Sequence, residues 1–244
     1  MANKHKWSDS FLEACLKIWG SGRVFVVYTG AETSVIEKDV NGRLLIVGGG
    51  DGSKAGTASI DEQVANITEV IHILQDGYGL RSPFSIIAHS MGGLVARQCI
   101  YKKPGTVAGL VTLGTPHKGS PLANSFQWVG HFLYAADAIE DLKPKNVERF
   151  NDTYPVKNTP LAYNKKIHVI RGVPDGTDCF GWAGELFIGY QILSTVYDIG
   201  NDGLVPFDSA VINGTEHIAD FPHYDHYDLT RQPDVVKKAA EYLP

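Results

Sequence analysis

Apolar positions along the chain fall into two alternating patterns. Short unbroken runs occupy residues 23–28 (RVFVVY), 44–47, 84–88, 107–113 (VAGLVTL) and 167–170 (IHVI), and they are rich in β-branched and aromatic side chains. Runs of this length and composition read as strands buried on both faces of a parallel sheet. Between them lie segments with three- and four-residue periodicity. Residues 60–74 place Val64, Ile67, Val70, Ile71 and Leu74 on one stripe, with Ser59 positioned to cap the helix and Gly77 to stop it. Residues 91–101 repeat the pattern through Leu94, Val95 and Ile100. Strands alternating with amphipathic helices predict an α/β fold, a mostly parallel central sheet flanked by helices.

Two stretches break the alternation. Residues 120–159 hold Phe126, Trp128, Val129, Phe132, Leu133 and Tyr134 ahead of a polar tail, and residues 179–197 are dense in aromatic and aliphatic side chains. Either they are cap or lid segments covering a site, or they are ordinary helices packed on the sheet; the pattern alone leaves both open. With 244 residues and neither a repeat nor a linker, the chain is expected to form a single domain over 1–244.

Charge and cysteine content narrow the function classes. A formal net charge of −5 without a long basic run argues against nucleic acid as a partner. Cys15, Cys99 and Cys179 are odd in number and widely spaced, which suits isolated thiols better than a disulfide framework or a metal knuckle. Asp9 and Glu13 interrupt the first twenty residues where a signal peptide needs an apolar core, and no apolar stretch reaches membrane-spanning length. The expectation is an intracellular protein, or a secreted one whose leader has been removed.

The chemistry begins at Ala88-His89-Ser90-Met91-Gly92-Gly93, set where a strand runs into a helix with almost no linker. That is the context of a nucleophile elbow, which holds a serine on a sharp turn above the sheet edge. Its neighbours two before and two after, Ala88 and Gly92, have to be small. A serine hydroxyl needs a histidine to take its proton and a carboxylate to orient that histidine. His5, His72 and His89 precede Ser90 and are expected to be surface or packing residues. Near the C-terminus, Asp202 lies in Asn201-Asp202-Gly203-Leu204-Val205-Pro206, and His226 follows in Tyr224-Asp225-His226-Tyr227-Asp228.

Together with the Leu113-Gly114-Thr115-Pro116-His117-Lys118-Gly119-Ser120 segment, these motifs resemble the bacterial true-lipase and esterase branch of the α/β-hydrolases. The resemblance implies the α/β-hydrolase fold and a triad of Ser90 as nucleophile, Asp202 as acid and His226 as base. His223 is the rival base, and Asp175 and Asp178 are rivals for the acid. The oxyanion hole implied is the backbone N–H of Met91 with that of Ala31, the latter following Thr29-Gly30, where Thr29 departs from the histidine usual in the relatives. Asp228 resembles a carboxylate that binds calcium in some of them, with Asp178 as a conceivable partner. A surface aspartate is the simpler reading, because calcium takes six to eight oxygen ligands. His223 and His226 are spaced H-x-x-H but lack the further ligands of a zinc site.

The activity implied is hydrolysis of carboxylic esters such as acylglycerols through an acyl-enzyme, with no cofactor required and no resident metal. The partners expected are a small-molecule or lipid ester and, transiently, a lipid interface. The alternatives are the same triad acting on a thioester, lactone or amide or transferring the acyl group, and a noncatalytic binding protein of the same fold.

Overall fold

The structure is a computed structural model, and it describes residues 7–30, 32–52, 55–124, 135–163, 165–181 and 184–244. The expected strands form as β1 (Phe25–Val27), β3 (Arg43–Gly48), β4 (Phe84–His89), β5 (Val107–Leu113) and β6 (Ile167–Val173). Pairing is parallel between β1 and β3, β4 and β5, and β5 and β6. All seven residues of β5 are buried, which is why its sequence carries no alternation. Each Val or Leu there contributes about 1.5–3 kcal/mol relative to exposure.

Two strands have no counterpart in the runs read from sequence. β2 (Val35–Val40) pairs antiparallel with β3 as an edge, and four of its six residues are exposed. β7 (Thr215–Pro222) adds in parallel to β6 with no fully buried position. Neither concentrates apolar residues, so neither stands out as a hydrophobic run.

The strands form two sheets, ordered β1-β3-β2 and β4-β5-β6-β7. The inner edges β1 and β4 line a cleft of about 1180 Å³, whose walls include Val27, Tyr28, Ile87 and His89. The parallel core expected from sequence is therefore present in two parts.

Helices cover both faces. On one side lie α2 (Ile60–Gly77) and α3 (Gly92–Lys102), with Val64, Leu94 and Val95 completely buried. Ser59 caps α2 as expected: its hydroxyl accepts from Glu62 N–H, while the Glu62 carboxylate accepts from Ser59 N–H. On the other side, α1 (Asp9–Trp19) packs on the C-terminal α8 (Pro233–Ala240) through Phe11, Cys15, Val235, Val236 and Ala239.

The two irregular stretches contain further short helices. In residues 120–159, α4 (Ala136–Asp141) and α5 (Pro144–Thr153) pack on the core, with Val147 fully buried. Residues 125–134, which carry that stretch's cluster of large apolar side chains, lie outside the described residues. In residues 179–197, α6 (Glu185–Gln191) buries Leu186. Phe180, Val196 and Tyr197 remain exposed there. A last short helix, α7 (Phe207–Ala210), follows the Asn201–Pro206 turn. Among the described residues no helix is long and apolar enough to cross a membrane.

Candidate active site

Ser90 terminates β4 and begins the turn into α3 with φ +53°. This left-handed conformation costs a non-glycine residue about 1–3 kcal/mol and persists only where its surroundings hold it. They do so through three hydrogen bonds. Ser90 N–H donates to Leu113 O at 2.9 Å, and its carbonyl accepts from Gly93 N–H at 3.0 Å and from the Thr115 hydroxyl at 2.8 Å. Spacing points to a steric constraint at Gly92, but a Cβ there would meet nothing within 4 Å among the described residues. The tight position is Gly93, where a Cβ would lie 2.2 Å from Thr115 Oγ1. Met91 follows Ser90 as the buried cap of α3. Ala31, expected to supply the second oxyanion donor, lies outside the described residues. The loop before it is anchored, since Thr29 O accepts from Gly56 N–H and Gly30 O from the Asn66 amide.

Asp202 and His226 are brought together, each only 1% exposed. His226 Nδ1 lies 2.8 Å from Asp202 Oδ2, and His226 N–H donates to the Asp202 carbonyl at 2.8 Å. The other Asp202 oxygen accepts from Leu204 N–H at 3.0 Å and Val205 N–H at 2.8 Å. The N-D-G-L-V segment thus folds around its own aspartate. Gly203, at φ +103°, allows the turn, and Asn201 Oδ1 receives the Gly203 N–H.

The pair is adjacent to the Ser90 turn through Gly114. A Cβ on Gly114 would lie 2.8 Å from Asp202 Oδ2 and 3.1 Å from His226 Nδ1. The preceding carbonyl, Leu113 O, is the one that receives Ser90 N–H. His89 makes a second link: its Nε2 lies 2.8 Å from His226 O, and the two rings are 4.5 Å apart. Expected only to pack, His89 therefore ties the strand bearing Ser90 to the loop bearing His226, a contact that no local spacing encodes.

The rival residues lie together elsewhere. His223 is exposed at φ +66°, with Nδ1 3.2 Å from Asp178 Oδ2 and 3.8 Å from Asp175 Oδ2. Asp175, Asp178 and His223 bring three ligand atoms within 4.8 Å of one another. Asp178 thus groups with Asp175 and His223, whereas Asp228 accepts from Asp225 N–H. Burial first, and in smaller part the Asp178 charge, raise the pKa of Asp228, so the two carboxylates conceived as a calcium pair are neighbours.

Beneath the base loop, burial and then the Asp228 charge raise the pKa of Asp225 to about 6. Asp225 Oδ1 accepts from Tyr227 and Asp228 N–H, while Oδ2 has no hydrogen-bond partner among the described residues. Tyr227 donates its hydroxyl to Glu185 at 2.6 Å, joining the base loop to α6. The thiols of Cys15 and Cys179 are raised to about 12 and that of Cys99 to about 11, mainly by burial, so all three are protonated at neutral pH and poor nucleophiles.

The Gly114–Ser120 segment is braced from beneath by a polar cluster. Arg97, fully buried on α3, approaches His117 Nδ1 at 3.2 Å and donates to Asn151 Oδ1 at 2.5 Å from α5. His117 Nε2 lies 3.2 Å from the Thr112 hydroxyl. Burial, then the Arg97 charge, hold His117 well below its ordinary pKa, so this histidine is a neutral strut.

Residues 51–159 match a family model described as a PGAP1-like alpha/beta domain. A search of curated proteins finds no match. Among solved structures, the chain is similar to a Bacillus licheniformis lipase in its mature form, at 21% identity and TM-score 0.65, with 89% of each chain covered. It is similar to a metagenomic carboxyl esterase at 20% identity and TM-score 0.61, covering 84% of this chain and 65% of the esterase. Staphylococcus hyicus lipase matches at 14% identity and TM-score 0.57, covering 86% of this chain and 89% of the lipase. At such identities it is the arrangement of strands and helices that is shared, and the chain has the α/β fold of these lipases and this esterase.

Proposed function

We propose that this chain is a serine hydrolase of carboxylic esters, with Ser90 as nucleophile, His226 as general base and acid, and Asp202 holding the His226 tautomer. The observation that carries the reading is the buried Asp202–His226 pair set against Gly114, beside the strained Ser90 turn. An Nδ1–H donated to Asp202 leaves Nε2 to take the Ser90 proton as Oγ attacks the acyl carbon. His226 then returns that proton to the departing alcohol. Water, deprotonated by His226, hydrolyses the acyl-enzyme and releases the acid. The Met91 N–H, with a second donor assigned to Ala31, receives the negative charge of the tetrahedral intermediate.

Two observations favour an apolar acyl ester. The solved structures that the fold resembles are named as lipases and a carboxyl esterase. Phe180, Val196 and Tyr197 are exposed on the segment that leads into the Asp202 turn. Acylglycerols and transient contact with a lipid interface fit these features.

The test is hydrolysis of p-nitrophenyl esters of graded acyl length, alongside matched thioester and amide substrates, by the wild type and by Ser90→Ala. The wild type is expected to prefer esters, and Ser90→Ala to lose roughly 10⁴-fold or more in kcat. Equal rates for the two proteins, or amide turnover matching ester turnover, overturn the proposal.

A further inference from the structure

Thr115 belongs to a segment that the triad itself does not use. Its side chain is almost fully buried, and its hydroxyl donates to the Ser90 carbonyl at 2.8 Å. That carbonyl belongs to the peptide joining Ser90 to Met91. A peptide unit is planar and trans, so its C=O and N–H point in opposite directions; fixing one aims the other. Thr115 and the Gly93 N–H hold the carbonyl from the α3 side. The Met91 N–H is thereby aimed away from them.

We propose that Thr115 is a positioning residue for the oxyanion hole: its hydroxyl locks the Ser90–Met91 peptide so that the Met91 N–H faces the developing oxyanion. The inference rests on the serine-hydrolase reading above.

Three features make Thr115 suited to the task. Its position is fixed, because His117 N–H donates to Thr115 O at 2.9 Å and the His117 ring is held by Arg97 and Thr112. The missing Cβ of Gly93 lets Oγ1 approach the turn, since a side chain there would displace it. The same segment reaches the acid side, where the Ser120 hydroxyl donates to Leu204 O at 2.8 Å, two residues beyond Asp202. Nucleophile turn and acid turn are thus referenced to one short stretch of backbone. A donor aimed before the reaction stabilises charge without reorganising as that charge develops.

The experiment compares wild type, Thr115→Val and Thr115→Ser in ester hydrolysis and in binding of a trifluoromethyl ketone, whose adduct with serine carries an oxyanion. Thr115→Val, which keeps the shape and loses the donor, is expected to lower kcat about 10- to 100-fold. KM should stay within about 2-fold, because the interaction matters only once charge develops. Affinity for the ketone should fall in proportion to kcat/KM, and Thr115→Ser should restore most of both. Thermal melts check folding, and if the valine variant does not fold, Thr115→Ala against Thr115→Ser gives the same comparison. Unchanged kcat in a folded hydroxyl-free variant, or equal losses with and without the hydroxyl, overturns the inference while the hydrolase reading stands. A wild type no faster than Ser90→Ala overturns the hydrolase reading itself.

Discussion

Asp225 lies one residue before the proposed base and is completely buried, with one carboxylate oxygen lacking a hydrogen-bond partner among the described residues. Its pKa rises from an ordinary 3.8 to about 6, so the folded protein keeps this proton at pH values where the unfolded chain has released it. Stability from this group is therefore greatest below about pH 4 and falls as pH rises to about 6, by up to about 3 kcal/mol. Asp225→Asn retains an acceptor for Tyr227 and Asp228 N–H and removes the charge. Urea unfolding should find this variant more stable than wild type at pH 8, with the difference vanishing near pH 4. A constant difference across that range contradicts the assignment. At this scale the sequence was informative where chemistry is local. Ser90 stands out because a turn of this kind joins a strand directly to a helix, and Asp202 because its segment carries the family resemblance. Gly93, Thr115 and His89 were not legible, because what each does depends on a residue distant along the chain.

Arg97 adds polar ties between elements that also share a buried apolar cluster. Its guanidinium joins α3 to the Thr115–Ser120 segment through His117 and to α5 through Asn151, and Phe150 lies under it at 4.8 Å. Burial lowers its pKa to about 9, still charged at neutral pH. Arg97→Lys keeps the charge but loses the planar fork that reaches two partners at once. Leaving one buried partner unpaired costs about 1–3 kcal/mol, so thermal melts should show a drop of several degrees. A melting temperature equal to wild type would mean the fork is not what joins these elements. Periodicity predicted α2 and α3, and unbroken apolar runs predicted β1, β3, β4, β5 and β6, although β1 and β4 are mostly half-buried. The β2 edge and β7 were missed because neither carries an unbroken apolar run, and they are strands because a neighbour supplies hydrogen bonds.

Over the whole molecule, the division between β1 and β4 separates the loop after β1 from the turn after β4. The strand edges lining that cleft lack the ladder partners that β5 has on both sides. Amide hydrogen exchange should find the cleft-facing N–H groups of β1 and β4 much less protected than those of β5. Equal protection would mean that the sheet closes in solution. The α/β alternation made the layered architecture readable from sequence, but the break did not show, because β1 and β4 are as apolar as their neighbours.

The segment leading into α1 meets the segment leading into α8 beside the proposed base. Ser8 N–H donates to Thr230 O and its hydroxyl to Arg231 O, while Trp7 lies edge-on to His89 with ring centroids 6.3 Å apart. During synthesis α1 emerges before the residues it docks against, and before His226. A nascent chain therefore presents Ser90 before the proposed base and the partner of α1 have emerged. Once the segment from His226 through α8 has emerged, the proposed nucleophile gains its proposed proton acceptor as α1 docks on α8.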